Sequence, residues 1–406
     1  MKITGITAEY NPLHNGHKFH IERTRELTGA DCVVAVMSGN FTQRGEPAIL
    51  DKWERGKLAV ENGIDLVLEL PFVYACSRAE TFARGAMDIL QGIGATTVSF
   101  GSESGDISAL NNLVRALDDN ADSIEGERVE IMKSGTSFAK AGEMAVEQIL
   151  GTEASELMVS PNNILALEYL KRIAYWNKQG HAIEAVTVKR HGSGYHGVNE
   201  DAGFAGASAI RKMKSKAQFS GYVPEDVASA LEKALAYDDG KGAILHMEEE
   251  MFRLVRGEVI KSSPDELRKI FCMGEGLENK LKKEIVKAEC LSDFVDSLVS
   301  KRYTEATIRR LLVYVLLGIK EYEPSKAVYG RVLAAGEKGR KLLGKLRKAD
   351  EHIPLITNIN KDEIENKEVQ DCLAYDILAA DMYNVILDRD LYSFSDRVIR
   401  PYMAGI

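Results

Sequence analysis

The chain predicts a doubly wound α/β fold, a parallel sheet covered by helices on both faces, followed by a mainly α-helical region. Two observations carry that prediction. In the first third, short runs of apolar residues that do not alternate with polar ones are each followed by a helical pattern, as expected of strands buried on both faces. From about residue 225 the helical period takes over, with no strong strand run except Ile353–Thr357.

The elements follow in order. Ile3–Ala8 is the first strand. His17–Thr28 is a helix stopped by Gly29. Cys32–Met37, apolar throughout, is the second strand, and Ala48–Asn62 a helix ending at Gly63. Asp65–Leu70 is a third strand stopped by Pro71, Ala79–Ile93 a helix, and Thr97–Phe100 a fourth strand before Gly101. Residues 105–180 read as helices broken near Gly135, Gly151 and Pro161. Ile183–Lys189 is a fifth strand, followed by a glycine-rich turn over 190–197 and a helix over Gly206–Lys216. The alternation stops near 215–225, so a division is drawn at 220, with residues 1–220 as one unit and 221–406 as the other. The 406 residues suit two to three domains at about 150 residues each.

Composition excludes some classes of function. Hydrophobic residues make up 45% and charged residues 28%, so the chain is neither fibrous nor globally disordered. Five cysteines stand alone, which suits a reducing compartment better than a disulfide framework. No signal peptide and no membrane span is evident, and a soluble cytoplasmic protein is expected. The net charge of −9 excludes a uniformly basic nucleic-acid coat. That sum hides a swing: residues 101–150 carry net −6, residues 301–350 net +8 and residues 351–400 net −6.

The loop after the first strand reads Glu9-Tyr10-Asn11-Pro12-Leu13-His14-Asn15-Gly16-His17, and a helix starts at once. In a parallel sheet this loop lies at the carboxyl end of the strand, where ligands bind. The helix N-terminus offers free N–H groups suited to phosphate. His14 and His17, three apart, can point to one side and donate to phosphate oxygens as charge builds. A zinc reading of His14, His17 and His20 lacks a nearby carboxylate or cysteine at ligand spacing, and no metal ligand is assigned. Later, Gly206-Ala207-Ser208-Ala209-Ile210-Arg211-Lys212 offers Ser208 as an N-cap and Arg211 as a fork for phosphate. Gly339–Leu346 nearly reads as a P-loop, but Leu346 stands where a hydroxyl is needed and no apolar strand is expected before it.

His14-Asn15-Gly16-His17 resembles the H-x-G-H signature of the nucleotidyltransferase superfamily, which includes class I aminoacyl-tRNA synthetases and small adenylyltransferases. Residues 206–212 resemble its second, late basic motif, with Ala209 replacing a hydroxyl. Further segments are similar to the bacterial tRNA(Met) cytidine acetate ligases. They are EYNPLHNGH (9–17), VAVMSGNFTQRGEPA (34–48), DLVLELPFVYA (65–75), FARGAMDIL (82–90), FGSESGD (100–106), PNNILALEYL (161–170) and ASAIRK (207–212). The resemblance is tightest over 1–215 and implies a nucleotidyltransferase-type catalytic unit at 1–220 followed by a helical tRNA-binding unit.

It further implies a two-step reaction. Acetate attacks the α-phosphate of ATP, and the wobble cytidine of elongator tRNA(Met) then takes the acetyl group on N4. The implied ATP positions are Thr7, Ala8, Glu9, Tyr10, Asn11, Pro12, Leu13, His14, Asn15, Gly16, His17, Lys18, Phe19 and His20, then Gly101, Asn162 and Arg190, joined by Ser208 and Arg211. His14, His17 and Arg211 are the candidate catalytic residues. Mg2+ is expected from triphosphate chemistry, without an evident ligand. The loop Ser38–Pro47, with Gln43, Arg44 and Glu46, is expected to line the acetate or tRNA side.

The +8 block then gains a partner. Arg309 and Arg310 upstream, and Lys338, Arg340, Lys341, Lys345, Arg347 and Lys348 in one acid-free run, form a candidate track for tRNA phosphates if they share a face with Lys212, Lys214 and Lys216. Two other readings stay open. One is an adenylyltransferase that stops at a small-molecule product, and the other a nucleotide-responsive RNA-binding protein without catalysis.

Overall fold

Apolar runs too short for helices pair side by side at the centre of the molecule. A computed structural model describes the chain except residues 191–197, 200–202, 237–242, 321–328, 350–351, 362–363 and 406. Most of the expected glycine-rich turn after Arg190 therefore lies outside the described residues. The first five strands are β1 Ile3–Ala8, β2 Cys32–Ser38, β3 Leu66–Leu70, β4 Thr97–Ser102 and β5 Glu184–Lys189. They pair in parallel in the order β3-β2-β1-β4-β5, with Ile3 opposite Cys32 and Thr4 opposite Thr97. Every residue of β2 and β3 is buried, which is why neither alternates. The strand order reverses between β1 and β4, so the carboxyl ends of these two strands open onto a crevice.

Helix starts follow the caps. Asp51 accepts from the N–H groups of Trp53 and Glu54, so the second helix is Lys52–Glu61 and not Ala48–Asn62. The stretch expected to be one helix over Gly206–Lys216 holds two short ones, Ala207–Arg211 and Lys216–Phe219. Gly206 is the N-cap of the first, without a side-chain cap bond, so Ser208 lies inside the helix and does not cap it. A two-stranded hairpin, β6 Val198–Asn199 and β7 Phe204–Ala205, precedes it.

The sheet does not stop where the alternation stops. β8, Gly330–Ala335, lies antiparallel beside β3 with all six residues buried, and β9 Leu355–Ile356 and β10 Tyr402–Met403 run parallel to it. The expectation of no strong strand beyond residue 225 except Ile353–Thr357 is corrected by β8 and β10, while β9 falls within the exception, and the sheet crosses the division drawn at 220. A strand also leads into the P-loop-like segment, against expectation. That segment is the helix Glu337–Leu346, and the carbonyl of Asp65 fills the space beside Gly339, leaving no cradle for phosphate. Among the described residues no helix is long and apolar enough to cross a membrane.

A buried ionic cluster locks the chain's ends together. Lys52 Nζ lies 2.7 Å from Glu69 and 2.7 Å from Asp396, and Arg331 lies 2.6 Å from Asp396. All four side chains are at most 3% exposed. Nearby, Asp376 accepts from the N–H of Phe72 and from the Tyr329 hydroxyl. Burial and the charge of Glu69 push Asp376 up to about 7.

Candidate active site

The loop that leaves β1 carries its geometry in four residues. Tyr10 takes a left-handed φ of 46° and the Asn11–Pro12 bond is cis, turning the chain into the helix Asn15–Thr28. His14 is the N-cap: its Nδ1 accepts from the N–H of Gly16 at 3.1 Å. His17 Nδ1 accepts in turn from the N–H of His14 at 3.3 Å, closing a reciprocal capping box. A neutral imidazole that accepts at Nδ1 carries its proton on Nε2. Both rings therefore present Nε2–H as donors. They stack with centroids 3.7 Å apart, and Tyr10 meets His17 edge-on at 5.1 Å.

Gly16 follows from the same bond. A β-carbon there would lie 2.9 Å from His14 Cε1, so any side chain would push the imidazole off its cap. Burial and the guanidinium of Arg190 push His14 down to about 3. Burial and the charges of His14, Arg190 and His20 hold His17 well below its ordinary value. Burial and Arg190 push His20, bonded to Ser99, down to about 4. All three imidazoles are thus neutral near pH 7, beside a fixed positive charge.

A cavity of about 590 Å3 opens at the carboxyl ends of β1 and β4, within the usual range for small-ligand sites. Of the residues expected to hold ATP, Thr7, Ala8, Glu9, Tyr10, Asn11, His14, Gly16, His17, Phe19, His20, Gly101, Asn162, Arg190, Ser208 and Arg211 line it. Pro12, Leu13, Asn15 and Lys18 do not. Leu13 is core, Asn15 donates to the carbonyls of Gly203 and Gly221, and Lys18 is exposed. The stem of Arg190 lies over Gly101, 3.3 Å from where a β-carbon would be. Arg211 bridges two loops, donating to the Asn11 carbonyl at 2.9 Å and to Glu46 at 3.0 Å.

The sequence reading left several wall residues without a role. Glu103 receives the Asn162 amide at 2.6 Å and the Asn163 N–H at 3.0 Å, so it positions the start of the helix Pro161–Lys178. Phe82, Phe100, Ile164, Leu165 and Tyr169 form the apolar wall. They look like ordinary core in the sequence, and only the strand order brings them to the crevice. Gln43, Arg44 and Glu46 do line it, on the loop after β2.

The basic block divides on inspection. Arg309 pairs with Glu305 and Glu248 at 12% side-chain exposure. Arg310 donates to the Gln43 carbonyl on the cavity loop, so Arg309 is engaged by acids and Arg310 by that loop rather than lying on an open phosphate track. Arg340 is half-buried on the Ala404 carbonyl. Lys338, Lys341, Lys345, Arg347 and Lys348 are exposed on the helix Glu337–Leu346 and just beyond it. That helix begins at the amino end of β3, where Gly336 N–H donates to Asp65 O, whereas Arg211, beside Lys212, meets Asn11 and Glu46 in the loops that leave β1 and β2.

The profile of the HIGH nucleotidyl transferase family matches residues 1–396. A tRNA(Met) cytidine acetate ligase of Thermoanaerobacter sp. is 38% identical over 397 residues, covering 95% of each chain. One of Caldicellulosiruptor saccharolyticus is 38% identical over 388 residues, covering 94% of each. The crystal structure of apo Thermotoga maritima TmcAL superposes with a TM-score of 0.87 at 30% identity over 99% of both chains. The same protein bound with α-thio ATP gives 0.85 at 31% identity, again over 99% of both.

Proposed function

The chain belongs to the HIGH nucleotidyl transferases and, within them, to the tRNA(Met) cytidine acetate ligases, and from that membership we propose the following reaction for the cavity. Acetate and ATP give acetyladenylate and pyrophosphate, and the acetyl group then passes to N4 of the wobble cytidine of elongator tRNA(Met). One observation carries the reading: two neutral imidazoles present Nε2–H at a topological switch point, with the Arg190 guanidinium close enough to depress both.

Acetate is already a nucleophile, so the first step asks the protein for positioning and charge stabilisation rather than for a base. His14 and His17 donate to the α-phosphate as negative charge builds there. Arg190 holds the triphosphate over Gly101. Arg211 exchanges Glu46 for a phosphate oxygen, and Ser208 adds a hydroxyl from the same helix. The apolar wall of Phe82, Phe100 and Leu165 excludes water from the adenylate. Mg2+, if bound, would be held mainly by phosphate and water and would supply charge neutralisation of the triphosphate. Among the described residues no group of three histidine, cysteine or acidic side chains is placed to hold a metal.

Exposed Lys338, Lys341, Lys345, Arg347 and Lys348 supply a phosphate contact for the tRNA backbone away from the cavity. The test is acetate-dependent exchange of pyrophosphate into ATP. Exchange that appears only with acetate is expected. Exchange driven by another small acid, and not by acetate, favours a small-molecule adenylyltransferase instead.

A further inference from the structure

The second half-reaction needs what the first does not. The N4 amine of cytidine must lose a proton as it bonds to carbon, so a group in the cavity must accept one. The histidine rings of the signature are poorly suited. Nδ1 of His14 and of His17 is filled by a backbone N–H, and Nε2 carries the hydrogen. Three carboxylates line the cavity. Glu46 is ion-paired with Arg211, and Glu103 takes donors from Asn162 and Asn163 on both its oxygens.

Glu9 is different. It follows the last residue of β1, and its backbone is held: the buried Arg55 donates to its carbonyl at 2.6 Å while also donating to the carbonyls of Ser38, Gly39 and Leu50. Its Oε1 accepts from the N–H of Gln43 at 2.7 Å. Among the described residues Oε2 has no hydrogen bond, and the side chain has no ion pair. Accepting from cytosine N4 is a known carboxylate role in base recognition.

We propose that Glu9 is the base of the transfer step, taking the proton that cytidine N4 loses as it attacks the acetyl carbon of acetyladenylate. The N4–C bond forms, the bond from the acetyl carbon to the phosphate oxygen breaks, AMP leaves with the electron pair, and the proton goes to Glu9 Oε2 and then to water. The inference rests on the acetate-ligase reading above.

The surroundings favour the protonated carboxyl more than water does. Burial raises the Glu9 carboxyl above its ordinary value, against the lowering effect of the Gln43 N–H and of Arg211; Glu46 raises it further and Arg55 lowers it. Tyr169 and Cys76 are the neutral titratable groups in its field, and Arg44, His14, His17 and His20 share the cavity or its rim. General bases contribute most when their pKa lies close to the working pH.

The experiment compares wild type, Glu9→Gln and Glu9→Asp in two assays across pH. One is acetate-dependent pyrophosphate exchange, and the other single-turnover acetyl transfer from preformed acetyladenylate to saturating tRNA(Met). Glu9→Gln is expected to slow transfer by on the order of 10²-fold, a loss roughly ten times its loss in exchange or more. The wild-type transfer rate should fall as pH drops through a midpoint above the ordinary carboxylate range, and that limb should vanish in Glu9→Gln. Glu9→Asp should restore part of the rate.

Equal loss in both assays, or a higher KM for tRNA with the acid limb intact, would overturn the proposal. If Glu9→Gln does not fold, the wild type decides alone: an acid limb in transfer that exchange lacks is expected, and its absence overturns the assignment. Wild type that exchanges pyrophosphate yet transfers nothing to tRNA would fail the acetate-ligase reading itself, a result distinct from either.

Discussion

His14 and His17 each spend one nitrogen on the backbone, and that expenditure fixes the proton on the other. The capping box is thus both a helix start and the device that aims two donors into the cavity. Removing either donor should cost adenylate formation on the order of 10²–10³-fold in His14→Ala or His17→Ala, with melting unchanged within a few degrees. Normal acetyladenylate yield in both variants would sink the assignment. The low imidazole values also set a pH dependence of stability. An unfolded chain binds protons at its histidines near the ordinary value of 6.5, whereas folded His14 and His20 resist protonation down to about 3 and about 4. Their contribution is therefore present above pH 6.5 and is lost as the medium is acidified below it. His20→Gln should flatten the fall in melting temperature between about pH 6 and pH 4, and an unchanged slope would contradict the burial argument. This motif was legible in the sequence because its chemistry is local: cap, glycine and helix lie within four residues. Glu103 was not legible, because its partners Asn162 and Asn163 come from a helix far along the chain.

The loop between β2 and the helix Lys52–Glu61 shows how an element acquires meaning from a distant one. Gly45 has φ +77°, and the backbone of Arg309 and Arg310 lies 2.4–2.7 Å from the place of a β-carbon. Gly45→Ala should therefore destabilise the protein by about 1–3 kcal/mol and weaken ATP binding through Gln43 and Glu46. Chemical denaturation and an ATP titration read the two effects. Arg309 and Arg310 looked like tRNA ligands in the sequence, yet their side chains are taken up by Glu248 and Glu305 and by the Gln43 carbonyl. A charge count cannot tell a solvated arginine from one that reaches a carbonyl. The helix Glu337–Leu346 is the opposite case, with its lysines exposed. Lys341→Glu combined with Lys345→Glu should weaken tRNA transfer more than adenylate formation, most visibly at moderate salt. An equal effect on both steps would remove that helix from the tRNA surface.

At the scale of the molecule, the sheet is assembled from both ends of the sequence. The first four strands were readable because each is a short, largely apolar run with a helical pattern after it. β8 was missed because Gly330–Ala335 lies in a region of helical period and gains its burial by pairing with β3, β9 and β10. The ionic cluster of Lys52, Glu69, Arg331 and Asp396 likewise exists only after folding. Lys52→Met would leave two buried carboxylates sharing one cation, and should cost about 3–5 kcal/mol by denaturant unfolding. A loss below about 1 kcal/mol, the value of a surface pair, would show the cluster to be solvated. The central claim joins the cavity to a tRNA, and one measurement addresses it directly: the purified protein is incubated with ATP, labelled acetate and elongator tRNA(Met), and the nucleosides are then resolved by mass spectrometry. Label on N4-acetylcytidine at the wobble position, dependent on ATP and abolished by His14→Ala, is the predicted result. Labelled acetyladenylate with no labelled nucleoside would contradict it.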